Sequence, residues 1–350
     1  MLQLSFINVN IINPIHYSGW NDLLLTNPAS SFFHTSNWAN VLHSSYGYSP
    51  SYFTSVCSKR LEVLIPVMEV HSFLTGKRGV SLPFSDYCEP IFSESVSIES
   101  IMKEIIEYGH KSGWDYVEFR DGEHIFHDVP VYSVYRRHTI DLNRNDEIIY
   151  TSFRDSTKRN LRKASAEGVT VTFHDTREAI KEFYRLNCIT RRLHGLPPQP
   201  FLFFENIHEH VISKNLGFVA LASYKGNSVS GAVFFHYGGK SLYKYGASDK
   251  RYQHLRANNL VIWEAIRWYC RNGYQSFCFG RTDPENKGLI QFKAGYGTKD
   301  ETLHYYRYDL RKEIFIKENA KNHGRHQKIF YGMPLSMLKI IGSLMYKHMG

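Results

Sequence analysis

The residues best placed to hold a reactant lie between Phe277 and Gly297, in the segment FCFGRTDPENKGLIQFKAGYG. Phe277 to Phe279 have the apolar run of a buried strand. Gly280, Arg281, Thr282 and Asp283 make a turn before Pro284, so a cation and a carboxylate are presented at a strand's carboxyl end. Open α/β sheets bind their ligands at that edge. Asn286, Gly288, Gln291 and Lys293 follow and lead into Ala-Gly-Tyr-Gly, whose glycines permit close backbone approach or positive φ. The same spacing also describes an ordinary turn and a short charged helix, and both readings stay open.

A second polar cluster, Ser85, Asp86 and Tyr87 in LPFSDYCEP, sits between a strand-like run and a proline-ended loop. Such side chains hydrogen-bond amides or hydroxyls of a ligand, or simply shape an Asx turn. Lys158, Arg159, Arg162 and Lys163 form a basic helical stripe, and Arg191 with Arg192 precede the stiff LPPQP loop. Guanidinium forks suit phosphate, while a solvated helix face accounts for the stripe equally. His208 and His210 are too closely spaced for the HExxH arrangement of a metalloprotease, and no metal site is expected. Walker, GxSxG and dinucleotide motifs are missing from the sequence, which removes nucleotide hydrolysis, serine hydrolysis and hydride transfer as readings.

The elements that must position these groups follow from periodicity. SIESIMKEIIEYGHKSG reads as a helix with Ile101, Ile105 and Tyr108 on one face and Gly113 as its stop, and WDYVEFR follows as a strand. A second unit begins near Tyr150 with Ser156 as the expected N-cap of a basic helix, Gly168 as its stop, and a strand through Val169, Val171 and Phe173. TREAIKEFYRLNCITRRL is a further helix. GFVALASYKGNSVSGAVFFHYGGKSLYKYGAS then reads as three strands joined by KGN and YGG turns, and NNLVIWEAIRWYCRNG as a helix ending at Gly273. Near the end, Met337, Leu338, Ile341, Leu344 and Met345 share one helical face, which suits docking on the body or lying at a membrane interface.

Bulk properties bound the class. A chain of 350 residues with 43% hydrophobic and 15% aromatic content buries a large core and reads as two domains of mixed α/β layers. The formal charge of +9 favours polyanionic partners such as RNA, nucleotides or an anionic membrane surface. Five scattered cysteines without CxxC spacing suit a reducing compartment. With no secretory leader pattern and no membrane-length apolar run, the expectation is a cytoplasmic protein.

Taken in order, KRNLRKASAEGVTV, TRRLHGLPPQP and NNLVIWEAIRWYCRNGYQSFCFGRTDPENKGLIQFKAGYG resemble the FemAB-related acetyltransferase-like domain, and SFFHTSNWANVL and LPFSDYCEPIF resemble first-half signatures of the same proteins. The resemblance implies an α/β fold of mixed sheets: two tandem GNAT-like domains, residues 1–148 and 149–311, with a basic tail, 312–350, that carries an amphipathic helix. It implies an N-acyltransferase that moves an acyl or aminoacyl group onto an amine of a peptidoglycan- or polysaccharide-related envelope precursor, small or lipid-linked. The donor is acyl-CoA or aminoacyl-tRNA, and no cofactor is permanently bound. The lysine that bridge-forming members carry before the Gly-aromatic-Gly turn matches Lys293.

Under this reading Lys293, or backbone N–H groups that it positions, faces the developing oxyanion, and Asp283 joins it as a catalytic group. Ser85, Asp86, Tyr87, Arg159, Arg191, Arg192, Arg281, Asn286, Gly288 and Gln291 are the expected substrate-binding set. tRNA is an implied partner, and residues 334–349 are the implied contact with the inner face of the membrane. Two places depart from the family pattern: Leu42 and His43 stand where bridge enzymes carry a lysine, and Tyr252 to Asn259 contain no glycine where coenzyme-A-binding members have a glycine-rich loop. The rival from another class is a non-catalytic RNA- or membrane-binding module on the same scaffold, marked by salt-dependent polyanion binding without turnover.

Overall fold

Turn chemistry lays out the second half of the chain. Lys225-Gly226 and Gly238-Gly239 take positive φ at both positions, the geometry of two-residue type I′ connections, so three consecutive apolar runs fold back on one another as hairpins. The computed structural model describes residues 9–93, 97–318 and 330–350. It separates into two compact units. Of the described residues, the first takes those up to Tyr135, Thr302 to Glu318 and Tyr346 to Gly350; the second takes Arg136 to Glu301 and those from Phe330 to Met345.

In the first unit, β1 (Asn10–Ile12), α1 (Trp20–Leu24), α2 (Ser36–Tyr46), β2 (Ser49–Cys57), β3 (Arg60–Ser72), β4 (Gly76–Val80), β5 (Ile91–Phe92), α3 (Ile98–Ser112) and β6 (Tyr116–Arg120) follow in order. The sheet runs β1-β2-β3-β4-β6, antiparallel except for the parallel β4 and β6, with β5 on β3. Phe53, Val63, Ile65, Ile101, Trp114 and Phe119 fill its core. The helix read from SIESIMKEIIEYGHKSG forms as α3, capped by the Ser97 hydroxyl and ended at Gly113, φ 69°.

The second unit begins within β7 (Ser133–Asp141) and continues through α4 (Asp146–Thr151), α5 (Asp155–Ala166), β8 (Thr170–His174), α6 (Arg177–Leu193), α7 (Phe201–His210), β9 (Gly217–Tyr224), β10 (Asn227–Tyr237), β11 (Lys240–Ser248), α8 (Ala257–Arg271), β12 (Ser276–Thr282) and α9 (Lys287–Ala294). Its sheet order is β7-β12-β11-β10-β9-β8, with only β11 and β12 parallel. Phe218, Phe234, Ile262, Ile266, Tyr269 and Phe277 form the centre of its core. Ser156 is not the N-cap of α5. The helix starts two residues earlier than that cap would set, behind Arg154, whose N–H is held by the Gly295 carbonyl at 2.9 Å, so a tertiary bond fixes the start instead of a hydroxyl cap.

β13 (Lys299–Asp309) makes the division non-contiguous, unlike the expected 1–148, 149–311 and 312–350. Its later residues return to the first unit, where Tyr305 to Asp309 pair antiparallel with Arg120 to Tyr116 of β6, and β14 (Ile314–Phe315) closes on it. The last helix, α10 (Leu335–Met345), packs on the second unit through Leu338 and Gly342. A Cβ at Gly342 would stand 2.0 Å from the Pro198 carbonyl oxygen, so the missing side chain sets which face goes inward. The apolar face read from sequence is thereby split: Leu338 is buried, while Met337, Leu344 and Met345 stay exposed. Among the described residues no helix is long and apolar enough to cross a membrane.

Candidate functional site

β12 is paired on both sides at its start and leaves β11 at its end, while its pairing with β7 runs on through Arg281 and Thr282. Against β11 the pairing covers Lys240–Ser276 through Leu242–Cys278 and then stops, although β11 continues to Ser248 and β12 to Thr282. β11 also bulges at Lys244, where the register on β10 jumps from Tyr243–Phe234 to Tyr245–Val233. The two parallel strands therefore diverge into a wedge. Backbone groups along such a wedge have left the ladder and are available to a ligand.

On the other edge the register with β7 slips between Cys278 and Arg281, leaving Phe279 and Gly280 together opposite His138. Gly280 takes φ 67°, as the first residue pair of a bulge with a left-handed member requires. Lys293 closes this bulge from α9. The residue is 2% exposed, and its ammonium donates to the carbonyls of Phe279, Gly280 and Arg281 at 2.6, 3.1 and 3.2 Å. The cation thus faces the strand end and fixes its curvature.

The turn before α9 is built by two of the expected residues. Asp283 Oδ1 accepts the Glu285 N–H at 2.9 Å, and Asn286 Oδ1 caps the helix by accepting the Leu289 N–H at 3.1 Å. Gly288 and Gln291 lie exposed on α9, Arg281 is half-buried, and the space around Gly288 is open. The Ala-Gly-Tyr-Gly turn packs on the α4–α5 junction. Cβ atoms at Gly295 and Gly297 would stand 2.5 Å from Thr157 Oγ1 and 2.4 Å from Ser152 Oγ, so close approach is what these glycines supply. Arg159 lies on the solvent face of α5, whose Thr157, Leu161 and Ala164 point inward.

Arg191 and Arg192 end α6. Arg191 Nε bonds the Pro197 carbonyl at 3.3 Å and ties down the LPPQP loop, while Arg192 is exposed. One residue before them, Thr190 exchanges hydrogen bonds of 3.0 and 2.9 Å with the backbone of Ser248, the end of β11. A recess of about 130 Å³ follows at the N-terminus of α8, lined by Ser230, Ser248, Asp249, Tyr252, Arg256 and Asn258 among others. The Arg251 guanidinium beside Asp249 holds that carboxyl below its ordinary range. Sequence reading reached the Tyr252–Asn259 loop but not Ser230 or Asp249, which arrive through strand register.

His138 was also missed, and Thr282 was read only as a member of the turn. Both are buried, and neither side chain has a hydrogen-bond partner among the described residues. Burial pushes the His138 pKa down; Asp300, 3.7 Å away, opposes this, while Lys293 and Arg136 add to it. The imidazole is neutral at neutral pH, and no motif in VYRRHTID marks it.

In the first unit the Ser85-Asp86-Tyr87 cluster is a tightly held loop. Ser85 Oγ donates to the Leu82 carbonyl at 2.6 Å, the Tyr305 hydroxyl donates to the Asp86 carbonyl at 2.7 Å, and Tyr87 meets Phe33 edge-on. Arg120 Nη1 bonds the Leu82 and Ser85 carbonyls at 3.0 and 3.2 Å. Leu82 and Phe84 are left-handed at φ 49° and 60°. Each such residue costs roughly 1–2 kcal/mol, so the surrounding bonds impose the loop's shape.

Residues 151–293 match the acetyltransferase (GNAT) domain family. Over 94 residues the chain is 31% identical to a Lipid II:glycine glycyltransferase of Staphylococcus haemolyticus, a match covering 25% of this chain and 22% of that protein. The chain therefore spans under a quarter of that relative's length. The crystal structure of FemX superposes with a TM-score of 0.65 at 14% identity, covering 85% of this chain and 97% of FemX. A tandem GNAT protein from the clavulanic acid biosynthesis pathway gives 0.54 at 8% identity over 87% of this chain and 98% of its own.

Proposed function

We propose, from the match of residues 151–293 to the acetyltransferase (GNAT) domain family, that the protein is a FemAB-related transferase that moves an aminoacyl group from aminoacyl-tRNA to an amine of a lipid-linked cell-wall precursor. The observation that carries this is the wedge between β11 and β12 with its bulge held by Lys293. In the reaction the acceptor amine attacks the ester carbonyl carbon. The carbonyl electrons move onto oxygen, and the adduct collapses by expelling the ribose oxygen, which takes the proton that the amine gives up. One C–N bond forms and one C–O bond breaks.

Such a transfer needs orientation and oxyanion stabilisation more than covalent help. Backbone N–H groups at the wedge receive the oxyanion, and Lys293 positions them. Arg281 and Asp283 orient the reacting ends, with Asn286, Gly288 and Gln291 along the approach. Arg159, Arg191 and Arg192 take donor phosphates. A tRNA donor is favoured over coenzyme A because the relative in the comparison is a glycyltransferase and the loop before α8 has no glycine. An aminoacyl-tRNA donor suits a cytoplasmic location.

The test is label transfer. Purified protein is incubated with a lipid-linked muropeptide and either labelled aminoacyl-tRNA or labelled acetyl-CoA. Label reaching the acceptor amine from the tRNA is the expected result. Transfer from acetyl-CoA alone overturns the donor, and no transfer from either by folded protein overturns the reading as a transferase of this pathway.

A further inference from the structure

A cavity of about 910 Å³ lies in the second unit between α6, the start of α7 and α10, far larger than the recess at α8. Its walls are apolar: Tyr184, Ile189, Pro200, Phe201, Leu335 and Ile340 contribute. At its rim stand Lys181 and Lys339, with Glu178, Glu182 and Arg185. Glu182 is neutralised by Arg185 through bonds of 3.1, 3.0 and 2.7 Å, and Lys339 Nζ sits over the Tyr184 ring, 5.4 Å from its centroid.

Beside the cavity, α10 turns an apolar stripe to solvent. Met337, Ile340 and Leu344 follow helical spacing and are 49%, 61% and 60% exposed, and Ile340 also lines the cavity. A single exposed apolar residue needs no explanation, but a continuous stripe that runs into an apolar cavity does. Charge selects its partner. Residues 330–350 contain Lys339 and Lys347 and no acidic residue, within a chain of formal charge +9. Basic residues flanking an apolar helical face are what an anionic bilayer surface attracts.

We propose that α10 is an interfacial membrane helix: Met337, Ile340 and Leu344 enter the headgroup layer, the cavity receives one acyl chain of an anionic phospholipid, and Lys181 and Lys339 meet its phosphate. A membrane-seated enzyme would meet a lipid-linked acceptor in two dimensions, so the inference deepens the proposed function. Its test needs no turnover.

Binding is read by co-sedimentation with vesicles of phosphatidylcholine alone or mixed with phosphatidylglycerol. Strong binding only to the mixed vesicles is expected. The triple variant Met337→Ser, Ile340→Ser, Leu344→Ser changes exposed positions only and keeps the wild-type thermal midpoint. It loses about tenfold or more in vesicle affinity, as the loss of several inserted side chains implies. Ile189→Trp, which fills the cavity, weakens binding to the mixed vesicles by several-fold. Wild-type protein that ignores phosphatidylglycerol overturns the proposal, as does a triple variant that binds like wild type. A dimer in solution that the triple substitution abolishes, without vesicle binding, overturns it in favour of a second copy of the chain. Label transfer to a lipid-free acceptor is measured in parallel, so a failed membrane contact is distinguishable from a failed transferase.

Discussion

Lys293 shows how a residue chosen for one role is found doing another. A buried ammonium is tolerable only when its donors are all met, and here the carbonyls of Phe279, Gly280 and Arg281 meet them. Its charge therefore reaches a reactant indirectly, through the shape of the bulge. Lys293→Met keeps the stem and leaves those carbonyls without their donor. The expected outcome is a loss of about 2 kcal/mol in stability by urea unfolding, since unsatisfied buried polar groups cost that order. Transfer should fall by about a hundredfold or more, on the scale of losing an oxyanion donor. A lysine that reached into the wedge would give the second effect without the first. An unchanged urea midpoint with lost transfer would return Lys293 to direct contact with the oxyanion.

At the scale of elements, the α9–β13 turn joins sequence to site most directly. Gly297 has φ 66°, and a Cβ there would stand 2.8 Å from the Ser152 carbonyl oxygen. Gly297→Ala combines a left-handed alanine, costing roughly 1–2 kcal/mol, with a backbone overlap, so a loss above about 2 kcal/mol is expected by urea unfolding. Gly288 sits in the first turn of α9 with open space around it, and Gly288→Ala should stabilise by up to about 1 kcal/mol. If both alanines cost the same, the packing of this turn on α4–α5 is not what the Gly297 position requires.

What was legible shares this local character. The hairpin turns, the Gly113 and Gly273 stops and the strand–turn–helix around Asp283 depend on residues adjacent in sequence. What was not legible depends on register or packing. His138 faces the bulge because β7 pairs with β12, Ser230 and Asp249 meet at α8 because β10 pairs with β11, and α10 turns Leu338 inward because Gly342 fits against Pro198. Arg159 and Arg192 could be named as basic, but periodicity could not say what they face.

Across the whole molecule, buried titratable groups set the pH range of stability. Burial pushes His138 and His236 down, with Asp300 opposing in the first and the Asn215 carbonyl in the second. Each stays neutral in the fold while its unfolded counterpart takes a proton near pH 6.5, so their stabilising contribution is present above that pH and lost as pH falls toward the folded values. Glu118 adds a second stage. Burial pushes its carboxyl up, but Arg120 and Arg307 outweigh this and hold it below the ordinary range, so its contribution is lost as pH falls through the folded value. At the alkaline end burial pushes Tyr243 up to about 12, and unfolding there is favoured once the free phenol ionises near pH 10. The urea midpoint should therefore be level between about pH 7 and pH 9 and fall on both sides. His138→Leu removes one of the groups that must take a proton on unfolding. Its midpoint should match or exceed that of the wild type, because a buried unpartnered imidazole is itself a cost, and its decline between about pH 7 and pH 5 should be shallower. An acid slope identical in wild type and variant would mean that His138 is protonated or solvated in the fold.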